Sequence, residues 1–184
     1  MIKLAISTVS EIRLVDINPA SQERFAKQMA EKFPDVTCVN YSDIQTACKG
    51  ADLVLAAATS EKPLLADIQF DKGTTVLIIE EDFGNSFVAR FGQFVGDFRE
   101  CLVERINADS KHHCELTGEN FEELTMESVT SEIGDIIVNK AAGRRDEDEI
   151  ILAASVGMGI QDIIVAQEAF DRAMTSDTGT VLPM

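Results

Sequence analysis

The scarcities in this chain of 184 residues each exclude something. Basic residues come first: 16 Lys and Arg stand against 32 Asp and Glu, a formal net charge of −16. Such a charge repels a phosphate backbone, so no nucleic-acid partner is expected. No apolar run approaches the ~18–20 residues of a membrane helix. The opening Met1-Ile-Lys-Leu-Ala-Ile-Ser-Thr-Val9 lacks the long apolar stretch and small-residue cleavage site of a secretory signal. No membrane partner and a cytoplasmic location are therefore expected. Cys38, Cys48, Cys101 and Cys114 are scattered, with no pair at zinc-knuckle or redox spacing, which predicts free thiols. Gly-x-Ser-x-Gly, P-loop lysine and His-Glu-x-x-His patterns are missing, which removes the usual hydrolase, kinase and zincin readings. His112, His113 and Cys114 are adjacent, so their side chains cannot easily converge on one ion, and no metal is expected. Tryptophan is absent altogether.

What remains is the composition of a soluble globular protein, 45% hydrophobic, and its length suits one domain over residues 1–184. Glu11-Ile-Arg-Leu-Val-Asp-Ile-Asn-Pro19 reads as a strand ending at Asp16, followed by a helix. Asn18 is its cap and Pro19 its first-turn residue, and Phe25, Met29 and Phe33 follow at helical spacing. A strand over 35–39, a helix over 41–48 and a buried strand within Ala51–Ala57 continue the alternation. A turn at Asp71-Lys-Gly73 leads into Thr74-Thr-Val-Leu-Ile-Ile79, whose β-branched residues fit a central parallel strand. The middle, 84–125, is weakly periodic, with a short strand at Phe94–Asp97 and a polar stretch around 109–120. Ile160, Ile163, Ile164, Phe170 and Met174 predict a long helix from near Ser155 to Met174, with a flexible tail over 175–184. These units imply an α/β, Rossmann-like parallel sheet with helices on both faces, incomplete at its N-terminus and ending in a long C-terminal helix.

Four residues could carry chemistry. An acid at the end of the second strand of such a sheet accepts hydrogen bonds from an adenosine ribose and repels a 2′-phosphate, which points Asp16 toward NAD; a capping or turn role is the competing reading. Asp82 follows a central strand at the carboxyl edge, where ligands gather. Glu80 and Glu81 beside it form an acidic cluster that either raises a carboxyl pKa for proton transfer or lies solvated in a loop. Thr59 could reach a cofactor ribose. Ser155 either caps the last helix or touches a ligand. The glycine loop that would place a helix N-terminus under a pyrophosphate is missing ahead of Glu11.

Thr130-Ser-Glu-Ile-Gly-Asp135, Gly143-Arg-Arg145 and Ala154-Ser-Val-Gly-Met158 together closely resemble the C-terminal signature of the ornithine cyclodeaminase/mu-crystallin family. The resemblance extends over nearly the whole chain and is loosest in 84–125. It implies an NAD-dependent enzyme, with NADP or, in a chain lacking the glycine loop, no cofactor as the alternatives, that deaminates or oxidises a small amino acid, ornithine to proline plus ammonia being the type reaction. It also implies that Asp82 is the acid–base residue, that Asp16 holds the cofactor ribose, and that Ser155 lies near the nicotinamide end. Glu80 and Glu81 stand where the family has small residues. The resemblance further implies that the family's N-terminal half, which binds substrate and dimerises, is not within this sequence. A homodimer or pairing with a complete family member is the expected assembly. The competing readings are an inactive nucleotide-binding or interaction module and a non-functional remnant.

Overall fold

The computed structural model describes residues 2–58, 60, 63–79, 83–176 and 178–180. A short helix α1 (Ile2–Ala5) precedes β1 (Glu11–Val15) and α2 (Pro19–Lys32). The Asn18 side chain accepts from the Ala20 N–H at 3.0 Å, so the helix starts where its cap and proline dictate. β2 (Thr37–Tyr41) and α3 (Ile44–Cys48) come next. Both lie later than the sequence pattern suggested. Val36 N–H bonds back to Phe33 C=O, so the chain is still turning there, and Asp43 caps α3 by accepting from Thr46 N–H at 2.6 Å.

β3 (Leu53–Ala56) and β4 (Thr75–Ile78) fall inside their expected ranges. Gly73, at φ +80°, makes the turn into β4, in a conformation that favours glycine. A four-residue α4 (Asn85–Val88) leads to β5 (Gln93–Gly96), and α5 (Arg99–Thr117) follows. This 19-residue helix lies in the weakly periodic middle, and its second half occupies the stretch read as polar. Its buried residues are Leu102, Val103, Ile106 and Ser110, too narrow a stripe to stand out among its charges. It stops at Gly118, φ +76°, where the chain turns left-handed.

A 3₁₀ turn (Met126–Ser128), β6 (Ser131–Glu132), α6 (Ile133–Ile137), β7 (Ile151–Ala154) and α7 (Gly159–Ser176) complete the order. The acidic run Asp146–Glu149 precedes the strand β7. α7 begins four residues beyond Ser155, and its first turn carries its own acid, Asp162.

The architecture is α/β and Rossmann-like, with every ladder parallel. The strands form two sheets, β1-β2 and β3-β4-β7-β5-β6. Among the described residues no ladder joins β1 to β3. Val15 and Leu55 on those two edge strands remain 40% and 43% exposed, whereas Val76, Leu152 and Phe94 in the middle of the larger sheet are almost wholly buried. Leu102 and Ile106 of α5 close one side of this core with Leu124 and Val129, and Phe83 meets Phe94 edge-on at 5.7 Å. α7 is different: Ile160, Ile163, Ile164, Val165, Phe170 and Met174 are all exposed. No helix among the described residues is long and apolar enough to cross a membrane.

Candidate functional site at the carboxyl edges of the strands

Register brings the larger sheet's carboxyl ends into one row. Ala56 pairs with Ile78, Ile78 with Ala154, and Ala154 with Gly96. The residues that follow these strand ends are thus neighbours along one edge, the place where open α/β sheets collect ligands. Ser155 follows β7 and Asp97 follows β5. Asp82, with Glu80 and Glu81, lies outside the described residues, as does Thr59. The strand β4 that leads to Asp82 ends at Ile78, and the chain is described through Ile79.

Asp97 is 8% exposed, and a buried carboxylate needs hydrogen-bond donors. It has four. Oδ2 accepts from Ser155 Oγ at 2.8 Å, Val156 N–H at 3.1 Å and Gly157 N–H at 2.8 Å. Oδ1 accepts from the next backbone amide, Phe98 N–H, at 2.9 Å. Gly157 takes φ +80°, and a Cβ there would meet nothing within 4 Å, so glycine is called for by the backbone's left-handed turn and not by crowding. Ser155 is half-buried and its hydroxyl is spent on Asp97; it caps no helix. The cap reading therefore gives way to a clamp between the ends of β5 and β7. Asp97 escaped the sequence analysis, although the rule that singled out Asp82, an acid directly after a strand, applies to it equally.

Asp16 sits at the end of β1 in the smaller sheet and is exposed. Its Oδ1 accepts from Asn18 N–H at 2.7 Å, the local turn expected of an aspartate before a helix. Its Oδ2 has no partner among the described residues. Gln22 locks this end in place by donating from Nε2 to Leu14 C=O at 3.1 Å and Tyr41 C=O at 3.0 Å, tying α2 to both strands. A groove of about 330 Å³ lies alongside, lined by Asp16, Ser21, Arg24, Phe25 and Gln28 among others. The residue after Asp16 is the fully exposed Ile17, which offers no cation to a 2′-phosphate.

A second cavity, about 420 Å³, lies against Phe83, Phe87, Arg90, Ser110 and His113. Arg90 stacks over the Phe87 ring, 5.1 Å from its centroid. His113 lies 3.8 Å from the Glu119 carboxylate. Among the described residues no three His, Cys, Asp or Glu side chains converge as a metal site would require. At the opposite end of β7, the Glu149 carboxylate is gripped by Arg145, through its backbone N–H at 2.8 Å and its Nε at 2.7 Å. Arg144 donates to the Glu149 carbonyl and to Thr75 Oγ1. These contacts tie the 144–149 segment to the start of β7 and, through Thr75, to β4.

The residues present fit one end of a dinucleotide. An exposed carboxylate with a free oxygen suits a ribose diol. The amides of Val156 and Gly157, at the turn after β7, point at Asp97.

The sequence profile of the ornithine cyclodeaminase/mu-crystallin family matches residues 1–177. The chain is 28% identical over 179 residues to a Bacillus cereus Delta(1)-pyrroline-2-carboxylate reductase, covering 95% of this chain and 54% of that protein. In three dimensions it is similar to the Thermococcus litoralis Delta(1)-pyrroline-2-carboxylate reductase solved with NADH and L-proline, with TM-score 0.76, 21% identity, and coverage of 94% of this chain and 53% of that one. It is similar too to an archaeal alanine dehydrogenase dimer with bound NAD, at TM-score 0.74, 19% identity, 95% and 53% coverage. The chain thus spans about half the length of the relatives it matches. It belongs to the ornithine cyclodeaminase/mu-crystallin family.

Proposed function

We infer that this family member is the nucleotide-binding part of an NAD-dependent enzyme that oxidises, reduces or deaminates a small amino or imino acid. The observation that carries the reading is Asp16: a carboxylate at the end of β1, fixed by Asn18 through one oxygen and open at the other. That oxygen receives the adenosine ribose diol, and its charge together with the apolar Ile17 favours NAD over NADP. When bound, NAD supplies the hydride acceptor or donor for the substrate carbon that bears nitrogen. Asp82 moves the proton that this exchange requires, Thr59 bonds a cofactor ribose, and Ser155 lines the nicotinamide end.

The test is a titration of NADH against the purified chain, followed by nucleotide fluorescence, which no tryptophan obscures. Saturable binding that weakens by about tenfold or more in Asp16→Ala is expected, the worth of a hydrogen bond to a charged group. NADPH should bind more weakly than NADH. Turnover is then screened with cyclic imino acids and small α-amino acids, and Asp82→Asn should abolish it while Glu80→Gln and Glu81→Gln do not. Unchanged binding in Asp16→Ala would sink the ribose assignment.

The exposed α7 supports a second reading, an interaction module that pairs as a homodimer through Ile160, Ile163, Ile164, Phe170 and Met174. Sedimentation analysis decides it: a dimer that Ile163→Glu breaks supports pairing through α7, and a monomer rules it out.

A further inference from the structure

The two sheets stop short of one another at strands whose inner edges are unpaired. Ser10 C=O accepts from Thr37 N–H at 2.8 Å, so the even-numbered residues of β1 turn their main chain to β2, and Glu11, Arg13 and Val15 turn theirs the other way. In β3 the Asp52 and Ala56 carbonyls accept from Thr75 and Ile79 N–H, both at 2.9 Å, so Leu53 and Leu55 face away from β4. Among the described residues neither set enters a ladder.

The two edges border one space. β2, α3 and β3 make a strand–helix–strand connection, which returns β3 in the direction of β1 and β2. α3 packs on β1 and β2, its Cys48 reaches the core of the larger sheet, and Arg13 of β1 donates to Ala47 C=O at 3.1 Å. These contacts put β1, and not β2, beside the segment that enters β3. No residue of β1 or β2 is buried, whereas every residue of β5 is. A two-stranded ladder is marginal by itself, and parallel strands are ordinarily covered on both faces.

We propose that the space between β1 and β3 is the seat of one further strand, apolar and neutral or basic, received from another polypeptide chain and running parallel to both edges. One strand is the least that pairs both edges at once. Its apolar character follows from Val15 and Leu55, exposed at the two edges. Its charge follows from the formal net −16 of this chain, which repels an acidic segment. A second copy cannot supply it: among the described residues every strand already lies in a ladder and cannot enter a space bounded on both sides.

The probe is the peptide Lys-Lys-Trp-Val-Ile-Val-Val-Lys-Lys, titrated against the full chain and followed by its tryptophan, a residue this chain lacks. Saturable binding is expected. Amide exchange at Arg13, Val15, Leu53 and Leu55, fast in the chain alone, should slow with the peptide, while Val54, already paired with Val76 of β4, should hardly change. The same peptide N-methylated at alternate residues keeps its charge and side chains but loses the donors of one edge. It should bind at least tenfold more weakly, about the worth of two hydrogen bonds. Leu55→Pro removes one donor from the seat and none from the β4 ladder, a place where proline is tolerated, and should weaken the parent peptide by about three- to tenfold. If that variant does not fold, the methylated peptide still decides. Equal binding of the two peptides, or protection confined to α7, shows apolar adhesion and overturns the proposal. So does a peptide that does not bind, and so does slow exchange at Leu53 and Leu55 in the chain alone.

Discussion

Arg13, in the middle of β1, donates from Nη1 to the carbonyl oxygen of Ala47 at 3.1 Å, and the same nitrogen also reaches Lys49 C=O. These carbonyls lie at the end of α3, where a helix leaves its last acceptors unpaired. The contact therefore ties the two-stranded sheet to the segment that leads into β3, across a boundary that no described backbone ladder crosses. Replacing Arg13 with Ala should speed amide exchange in β1 and β2 while leaving β4 and β7 protected. Uniform acceleration across both sheets would show instead that the molecule opens as one unit.

The features legible in the sequence are those whose causes are local. Asn18 and Pro19 start α2, Gly73 turns the chain into β4, and the β-branched run to Ile79 makes a central strand; each depends on residues within a few positions. α5 hid because its buried stripe is narrow and the rest of its surface is charged. The split of the sheet depends on pairing between distant strands, which periodicity does not carry. Ser155 was found for its neighbourhood, but its role depends on Asp97, 58 residues away, and no spacing rule connects them.

Leu152 is fully buried in β7, between Val76 of β4 and Phe94 of β5 in the register. Leu152→Ala deletes core volume that the rigid sheet cannot refill, at a cost of about 2–5 kcal/mol. A domain with roughly 5–15 kcal/mol in total can lose a large part of its stability this way. Urea unfolding should show a lower midpoint with an unchanged slope. A loss below about 1 kcal/mol would mean that the core there is loosely packed.

The four thiols should separate by reactivity. Cys101 is exposed, whereas Cys48 is buried, and burial, with the Asp43 charge adding to it, pushes its thiol pKa up. The thiolate is the reactive form, so both access and ionisation protect Cys48. Alkylation followed by mass spectrometry should mark Cys101 first and Cys48 only after unfolding. Early labelling of Cys48 would place α3 among the parts that open locally.

Glu149 adds a contribution at the β7 end that depends on pH. The Arg145 side chain, then its backbone N–H, hold the Glu149 carboxyl below its ordinary value of 4.5. The sign follows from linkage: a folded pKa below the unfolded one means that the unfolded chain binds more protons, so stability rises with pH through that window. Its contribution is complete above the ordinary carboxylate range and is lost as pH falls through the lowered folded value. Glu149→Gln cannot titrate and keeps two of the same acceptor geometries at most. The variant should be less stable than wild type near neutrality and should lose less stability than wild type on acidification, so the two unfolding curves converge at low pH. Parallel curves down to pH 3 would show that Glu149 contributes nothing that depends on its charge.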